Sequence, residues 1–234
     1  DSVVKESDVA IVSVHRFPLG KNLYNASEFK KNIAQEGSNF FEAYLLLALD
    51  SLKDKDFKNS EKYLKKAYEF INNDRLSLIV AETLKQYLHV FEENKIDKEK
   101  NKFGNFSFIN EVFQRCYLND KSTEVYFNNL VNSQNNSDYS RYIFFYLNYL
   151  LENDKYEEAK NITDDLNYLN LSLLISQGKY WIESKKTEEF KKIFSCKNPN
   201  DIVSEFFFLV SNLYSSQDNY EKSNFYLNIS NYLN

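Results

Sequence analysis

The chain has 234 residues, a formal net charge of −5 and a pI near 5.3, which argues against a strongly basic nucleic-acid binder and leaves room for one large domain or one extended array. Only 4 Gly and 2 Pro stand against 20 Phe and 18 Tyr, so the turn residues that sheets and sandwiches need are missing, and an all-α fold follows. The excess of Lys, Asn, Tyr, Phe and Ile reads as the product of an AT-rich genome rather than of a functional demand.

Residues 1–38 stand apart. Val9 to Val14 is a short β-branched run, Pro18-Leu19-Gly20 is a turn, and Ser27 with Glu28 caps a helix that ends at Gly37. The segment reads as a remnant of an upstream repeat, with a capping element as the alternative. From residue 39 onward, apolar periodicity and stop signals predict helices over 39–53, 56–72, 75–93, 106–118, 121–133, 138–153, 155–168, 170–185, 187–195, 200–216 and 218–233. The charged stretch 94–105, with Gly104 near its end, predicts an enlarged loop or a hinge. The polar tract Asn132 to Asp138 is a connector in which Ser137 or Asp138 caps the next helix, and Asp218 is expected to cap the last.

Three stretches nearly repeat one another: Lys55-Asp56-Phe57-Lys58-Asn59-Ser60, Asp154-Lys155-Tyr156-Glu157-Glu158-Ala159 and Asp218-Asn219-Tyr220-Glu221-Lys222-Ser223. Their aromatics are spaced at 156−57=99 and 220−156=64, close to three and two units of a period in the low thirties. The pattern resembles the tetratricopeptide repeat. On that resemblance the first unit runs from Phe41 to Asp74, with Tyr44, Leu47 and Ala48 in its first helix and Ser60, Leu64 and Ala67 in its second. A later unit places Ile143, Tyr146 and Leu147 before Ala159, Thr163 and Leu166. The last places Phe207, Val210, Ser211 and Tyr214 before Tyr220, Ser223, Leu227 and Ser230. Between them Phe190 takes the aromatic place at 190−156=34, with Trp181 where the family has a small residue. The family's first-helix tryptophan is missing at Tyr44, Ile143, Gln177 and Phe207, and no proline closes a unit. Spacing calls for two further units, at roughly 75–104 and 106–138. The resemblance implies a right-handed superhelical array, an α-solenoid of antiparallel hairpins over 39–234; a related hairpin repeat or an unrepeated helical bundle is the alternative.

The resemblance also implies a concave groove lined by first-helix residues: Arg141, Phe144, Phe145 and Asn148 in one unit, and Glu205, Phe208, Leu209 and Asn212 in another. Asn148 and Asn212 hold equivalent slots, where peptide-binding relatives use an asparagine to bond the ligand backbone. Phe144 and Phe208 stand where carboxylate-clamp relatives carry basic residues, which speaks against capture of a terminal carboxylate. Phe208 as plain core is the competing reading, because Phe206 to Val210 is apolar all round the helix.

Residues with chemical potential are scattered. Cys116 and Cys196 are expected to be buried thiols, with a bridge or a reactive site as the alternative, and His89 a partly buried structural residue; His15 is isolated. Neither a glycine-rich phosphate loop, a nucleophile elbow nor a His-Glu-x-x-His occurs, and Glu92-Glu93, Asp164-Asp165 and Glu188-Glu189 diverge around a helix. The basic run Lys95 to Lys102 is interrupted by Asp97 and Glu99 and reads as a solvated loop. Sequons at Asn25, Asn105, Asn135, Asn161, Asn170 and Asn228 are what an Asn- and Ser-rich chain yields by chance. Neither a cofactor nor a metal is expected. Apolar runs fall far short of the ~20 residues of a membrane helix, so a soluble chain is expected, cytoplasmic or else periplasmic or secreted. Met is absent, and a chain opening at Asp1 reads as processed or truncated, with further residues expected beyond Asn234. The expected function is a non-catalytic scaffold that binds a partner peptide or helix. Alternatives are a structural subunit using a lateral or convex face and, last, an enzyme with a scattered helical site.

Overall fold

The computed structural model describes residues 40–71, 74–96, 105–132, 140–166 and 172–234, and among these there are helices and turns but no strand. In chain order they are α1 (Phe41–Lys53), α2 (Phe57–Tyr68), α3 (Arg75–Glu93), α4 (Asn105–Tyr117), α5 (Thr123–Val131), α6 (Ser140–Glu152), α7 (Tyr156–Asp165), α8 (Leu173–Glu183), a 3₁₀ segment η1 (Thr187–Lys192), α9 (Pro199–Ser216) and α10 (Tyr220–Leu233). The expected helices are therefore present, except that 187–195 holds only a short 3₁₀ segment, and the described part of 75–104, residues 75–96, shows the helix α3. The readings of 1–38, of 97–104 and of the Ser137 or Asp138 cap lie outside the described residues.

Five hairpin corners are built alike. Lys55, Asn119, Asp154, Lys185 and Asp218 all adopt positive φ, between 54° and 61°. Each ends the helix before it with the same two bonds. The next residue's N–H reaches back five positions, as Asp56 to the Ser51 carbonyl at 2.8 Å, Lys155 to Leu150 at 2.9 Å and Asn219 to Tyr214 at 3.0 Å. The left-handed residue's own N–H reaches back three, as Lys55 to Leu52 at 2.8 Å and Lys185 to Ile182 at 3.0 Å. This satisfies carbonyls that a helix end leaves open. The second helix then starts two residues after the corner in four of the five cases. Asp56 and Asn219 act as its N-caps, accepting from the N–H of Asn59 at 3.1 Å and of Lys222 at 3.2 Å. Asn219, not Asp218, therefore caps α10: Asp218 is occupied as the left-handed corner.

The chain divides into two units, residues up to 97 with 203–234, and residues 98–202. In the first, Leu45, Ala48, Leu49 and Leu52 of α1 are fully buried, as are Ser60 and Ala67 of α2. The α9–α10 hairpin closes through small residues. Ser211 Oγ donates to the Ser223 carbonyl and Ser204 Oγ to the Ser230 carbonyl, both at 2.9 Å, which only a close helix approach allows. This hairpin packs on the first one: Tyr232 Oη donates to Asp50 at 2.7 Å, and Lys53 Nζ lies 4.0 Å from the Tyr232 ring centroid and donates to the Tyr232 carbonyl. Stacking of sequence neighbours alone would not bring these two hairpins together.

In the second unit the aromatic core centres on α6. Phe144 stacks on Phe190 at 4.7 Å and Phe145 on Phe194 at 3.9 Å, with Phe113 of α4 at 5.4 Å from Phe194. Gly178 of α8 lies against this layer; a Cβ there would meet Phe144 and Phe190 carbons at 3.2 Å. Gly178, three residues before Trp181, thus allows the close approach of α8 to these rings. The corner at Lys185 follows the one at Asp154 by 185−154=31, against the 190−156=34 of the aromatics. Cys116 of α4 and Cys196, in the turn before α9, form a disulfide with a Cα–Cα distance of 5.8 Å, correcting the expectation of separate thiols. His89 is exposed, not partly buried.

Candidate partner-binding surface

The residues expected to line a groove separate by burial. On α6, Phe144 and Phe145 are 0% and 1% exposed, and their rings are spent on the stacking just described. Asn148 is buried as well: its amide donates to the Phe194 carbonyl and, at 3.5 Å, to Glu152. It secures the 193–198 turn instead of offering its amide to a peptide backbone. Arg141 is partly exposed, with its guanidinium 5.3 Å from the Phe145 ring centroid. On α9, Glu205 is buried, Phe208 and Leu209 are partly exposed and Asn212 is exposed. Equivalent slots therefore hold a buried asparagine and an exposed one. A continuous eight-residue lining is not what these positions form: Phe144, Phe145, Asn148 and Glu205 are interior. Phe208, Leu209 and Asn212 stay accessible along α9, and Arg141 stays accessible on α6.

Two polar knots were not anticipated. At the 193–198 turn, Asp201 accepts from the Ser195 N–H at 2.8 Å and from the Asn198 amide at 2.6 Å, while Ser195 Oγ donates to Glu152 at 2.8 Å. Burial pushes the Asp201 carboxyl up to about 6, and the Glu152 charge adds to the rise against the opposing pull of the two hydrogen bonds. The arrangement fixes the turn that carries Cys196 and starts α9 at Pro199. In sequence, Glu152 and Asp201 stand in different helices, so no local spacing links them. At the start of α3, Asp74 caps the helix through the Leu76 N–H at 3.1 Å and receives Lys222 Nζ and Ser77 Oγ, each at 2.8 Å, with Tyr214 Oη at 3.3 Å. Burial alone would raise the Asp74 carboxyl, but these donors hold it below the usual value. Tyr214, chiefly through burial, is raised to about 12. Each knot is consumed by capping and hairpin contacts, which is structural chemistry.

Exposed apolar groups mark the surface better. Leu78, Val125, Leu173, Tyr180, Ile193, Tyr220 and Leu227 are the large exposed hydrophobics of the described residues. Among the described residues no group of three or more His, Cys, Asp or Glu could hold a metal ion, and no helix is long and apolar enough to cross a membrane. No family model, curated protein or solved structure matches the chain.

Proposed function

We propose that the chain is a non-catalytic interaction scaffold, a degenerate tetratricopeptide-like array that binds a partner protein. The observation that carries this reading is the recurrence of one hairpin corner at Lys55, Asn119, Asp154, Lys185 and Asp218, with successive spacings of 119−55=64, 154−119=35, 185−154=31 and 218−185=33. The first is two periods and each of the others one. A repeated supersecondary unit at this period builds long surfaces from simple parts, and such surfaces serve recognition. Interior placement of Phe144, Phe145, Asn148 and Glu205 favours recognition through outer helix faces over a deep peptide groove, the mode of a subunit in a larger assembly. The buried Cys116–Cys196 disulfide supports an oxidising compartment, periplasmic or secreted.

Cross-linking of the full chain in a source extract, followed by peptide mapping, tests the proposal. A reproducible protein partner joined at exposed helix faces is the expected result. Absence of any stoichiometric or exchangeable partner, or turnover of a small molecule by the purified chain, would refute it.

A further inference from the structure

The hairpins that turn at Lys55 and Asp154 are offset by 154−55=99 residues, so each position of α2 has a counterpart on α7. Between the two, charge is inverted. Lys58, Lys62, Lys65 and Lys66 recur at helical spacing on the face of α2 opposite its buried Ser60, Leu64 and Ala67, and with the corner Lys55 all five are exposed. Their counterparts on α7 are Glu157, Asn161, Asp164 and Asp165, again exposed and opposite the buried Ala159 and Thr163, with the exposed corner Asp154. The flanking charges change sign as well: Asp56 answers to Lys155, and Glu61 to Lys160. Every slot that is charged on both hairpins therefore carries opposite signs. Packing does not demand this, because none of these side chains is buried. Lys65 lies 3.0 Å from Glu61, and Asp164 3.6 Å from Lys179. Lys55, Lys58, Lys62, Asp154, Glu157 and Asp165 form no ion pair among the described residues.

We propose that these two faces are complementary docking surfaces, the basic α2 face of one copy of the chain seating on the acidic α7 face of a second copy. Opposite charges at matching helical spacing align two helices side by side and set their register. Lys58 to Lys66 covers 66−58=8 residues, about 12 Å of helix. That is the length of one exposed helix face and not of an extended polyanion, and α7 carries the matching acids over the same length. Each exposed pair is weak alone and screened by salt, so the contact acts through several pairs together and is reversible. The faces are unlike, which makes the contact heterologous. This goes beyond the scaffold reading: it concerns how copies meet one another, not which foreign protein is bound.

The test is sedimentation velocity of the full 234-residue chain over a range of concentrations. In salt of about 0.01 M the sedimentation coefficient should rise with concentration, and in about 1 M salt the rise should vanish. One triple variant, Lys55→Asp, Lys58→Glu and Lys62→Glu, makes the α2 face acidic; another, Asp154→Lys, Glu157→Lys and Asp165→Lys, makes the α7 face basic. Both corner changes use residues the chain already places at such corners, Asp at Asp218 and Lys at Lys185. Each triple variant alone should lose self-association by about tenfold or more, because like charges then meet. An equimolar mixture of the two should regain it. A control with the same change in net charge as the first, Lys85→Glu, Lys95→Glu and Lys121→Glu at exposed sites elsewhere, should leave it intact. Circular dichroism of each variant checks that the fold persists. A parent chain that stays monomeric in low salt, or an association that salt does not weaken, overturns the proposal. So does a control that loses association as the face variants do, or a mixture that fails to regain it. A monomeric parent that binds poly-glutamate through α2 overturns it too, since a foreign acidic partner would then be the occupant. None of these failures touches the scaffold reading, whose test is the cross-linked foreign partner.

Discussion

Removing the Cys116–Cys196 disulfide should be the most damaging single change to the second unit. The bridge joins residues 80 apart, and closing a loop of that length removes entropy from the unfolded chain worth about 4.5 kcal/mol at 25 °C on the chain-entropy relation. Both cysteines are buried, so replacing them with Ala opens little space and adds no unsatisfied polar group. Trp181, the chain's one tryptophan, lies in this unit with its ring 5.5 Å from Phe190, and its fluorescence reports local unfolding there. With a urea m-value of about 2 kcal/mol/M, the double variant Cys116→Ala, Cys196→Ala should lower the Trp181 midpoint by about 2 M, and a reductant should do the same to the unaltered chain. An unchanged midpoint in both experiments would mean that the Phe113, Phe145 and Phe194 ring layer and the Asp201 knot hold the turn alone, and the loop-entropy argument would be wrong.

Gly178→Leu should destabilise by about 3 kcal/mol, because its Cβ already meets two fully buried rings; thermal melting that matches the parent would contradict the packing. Lys185→Gly should stabilise by about 0.5–1 kcal/mol, since glycine bears the left-handed corner without the Cβ penalty, as a raised urea midpoint would reveal. Lys222→Ala should cost no more than about 1 kcal/mol, the ion pair with Asp74 being part-exposed, and salt titration should shrink the difference from the parent. Asp201 keeps its proton to about pH 6 in the folded chain and releases it near the ordinary 3.8 when unfolded. Its contribution is therefore fully present below that lower value and declines as pH rises to about 6, so Asp201→Asn should flatten the stability profile in that window. Parallel profiles for parent and variant would exclude this source.

Element positions were legible because the helices carry strong periodicity: α2 buries Ser60, Leu64 and Ala67 and exposes its lysines, a pattern visible without coordinates. The burial of Ala48, Ala159 and Ser211 was legible for the same reason. What failed depended on local length or on distant partners. The corners at Asp154 and Lys185 are 185−154=31 apart, whereas the aromatics Tyr156 and Phe190 are 190−156=34 apart, so side-chain spacing and backbone spacing differ there. Cys116 with Cys196, and Glu152 with Asp201, are brought together by tertiary structure, which spacing along the chain does not encode. The groove residues failed for another reason. Phe144 and Phe145 read as apolar whether they face a ligand or a core, and only the rings of Phe190 and Phe194 decide between the two.

Composition also explains why the corners hid. Helix ends of this kind ordinarily advertise themselves with glycine, whose freedom at positive φ makes it the usual residue there. With 4 Gly in 234 residues, this chain fills the five corners with Lys, Asn, Asp, Lys and Asp. Asn and Asp tolerate the left-handed region through local hydrogen bonding; Lys does not, and at Lys55 and Lys185 the conformation must be held by its surroundings. The two backbone bonds at each corner supply that hold, together with the packed hairpin on either side. The corner therefore recurs in backbone geometry while the residue at it changes, because its two bonds are made by the backbone and not by any side chain.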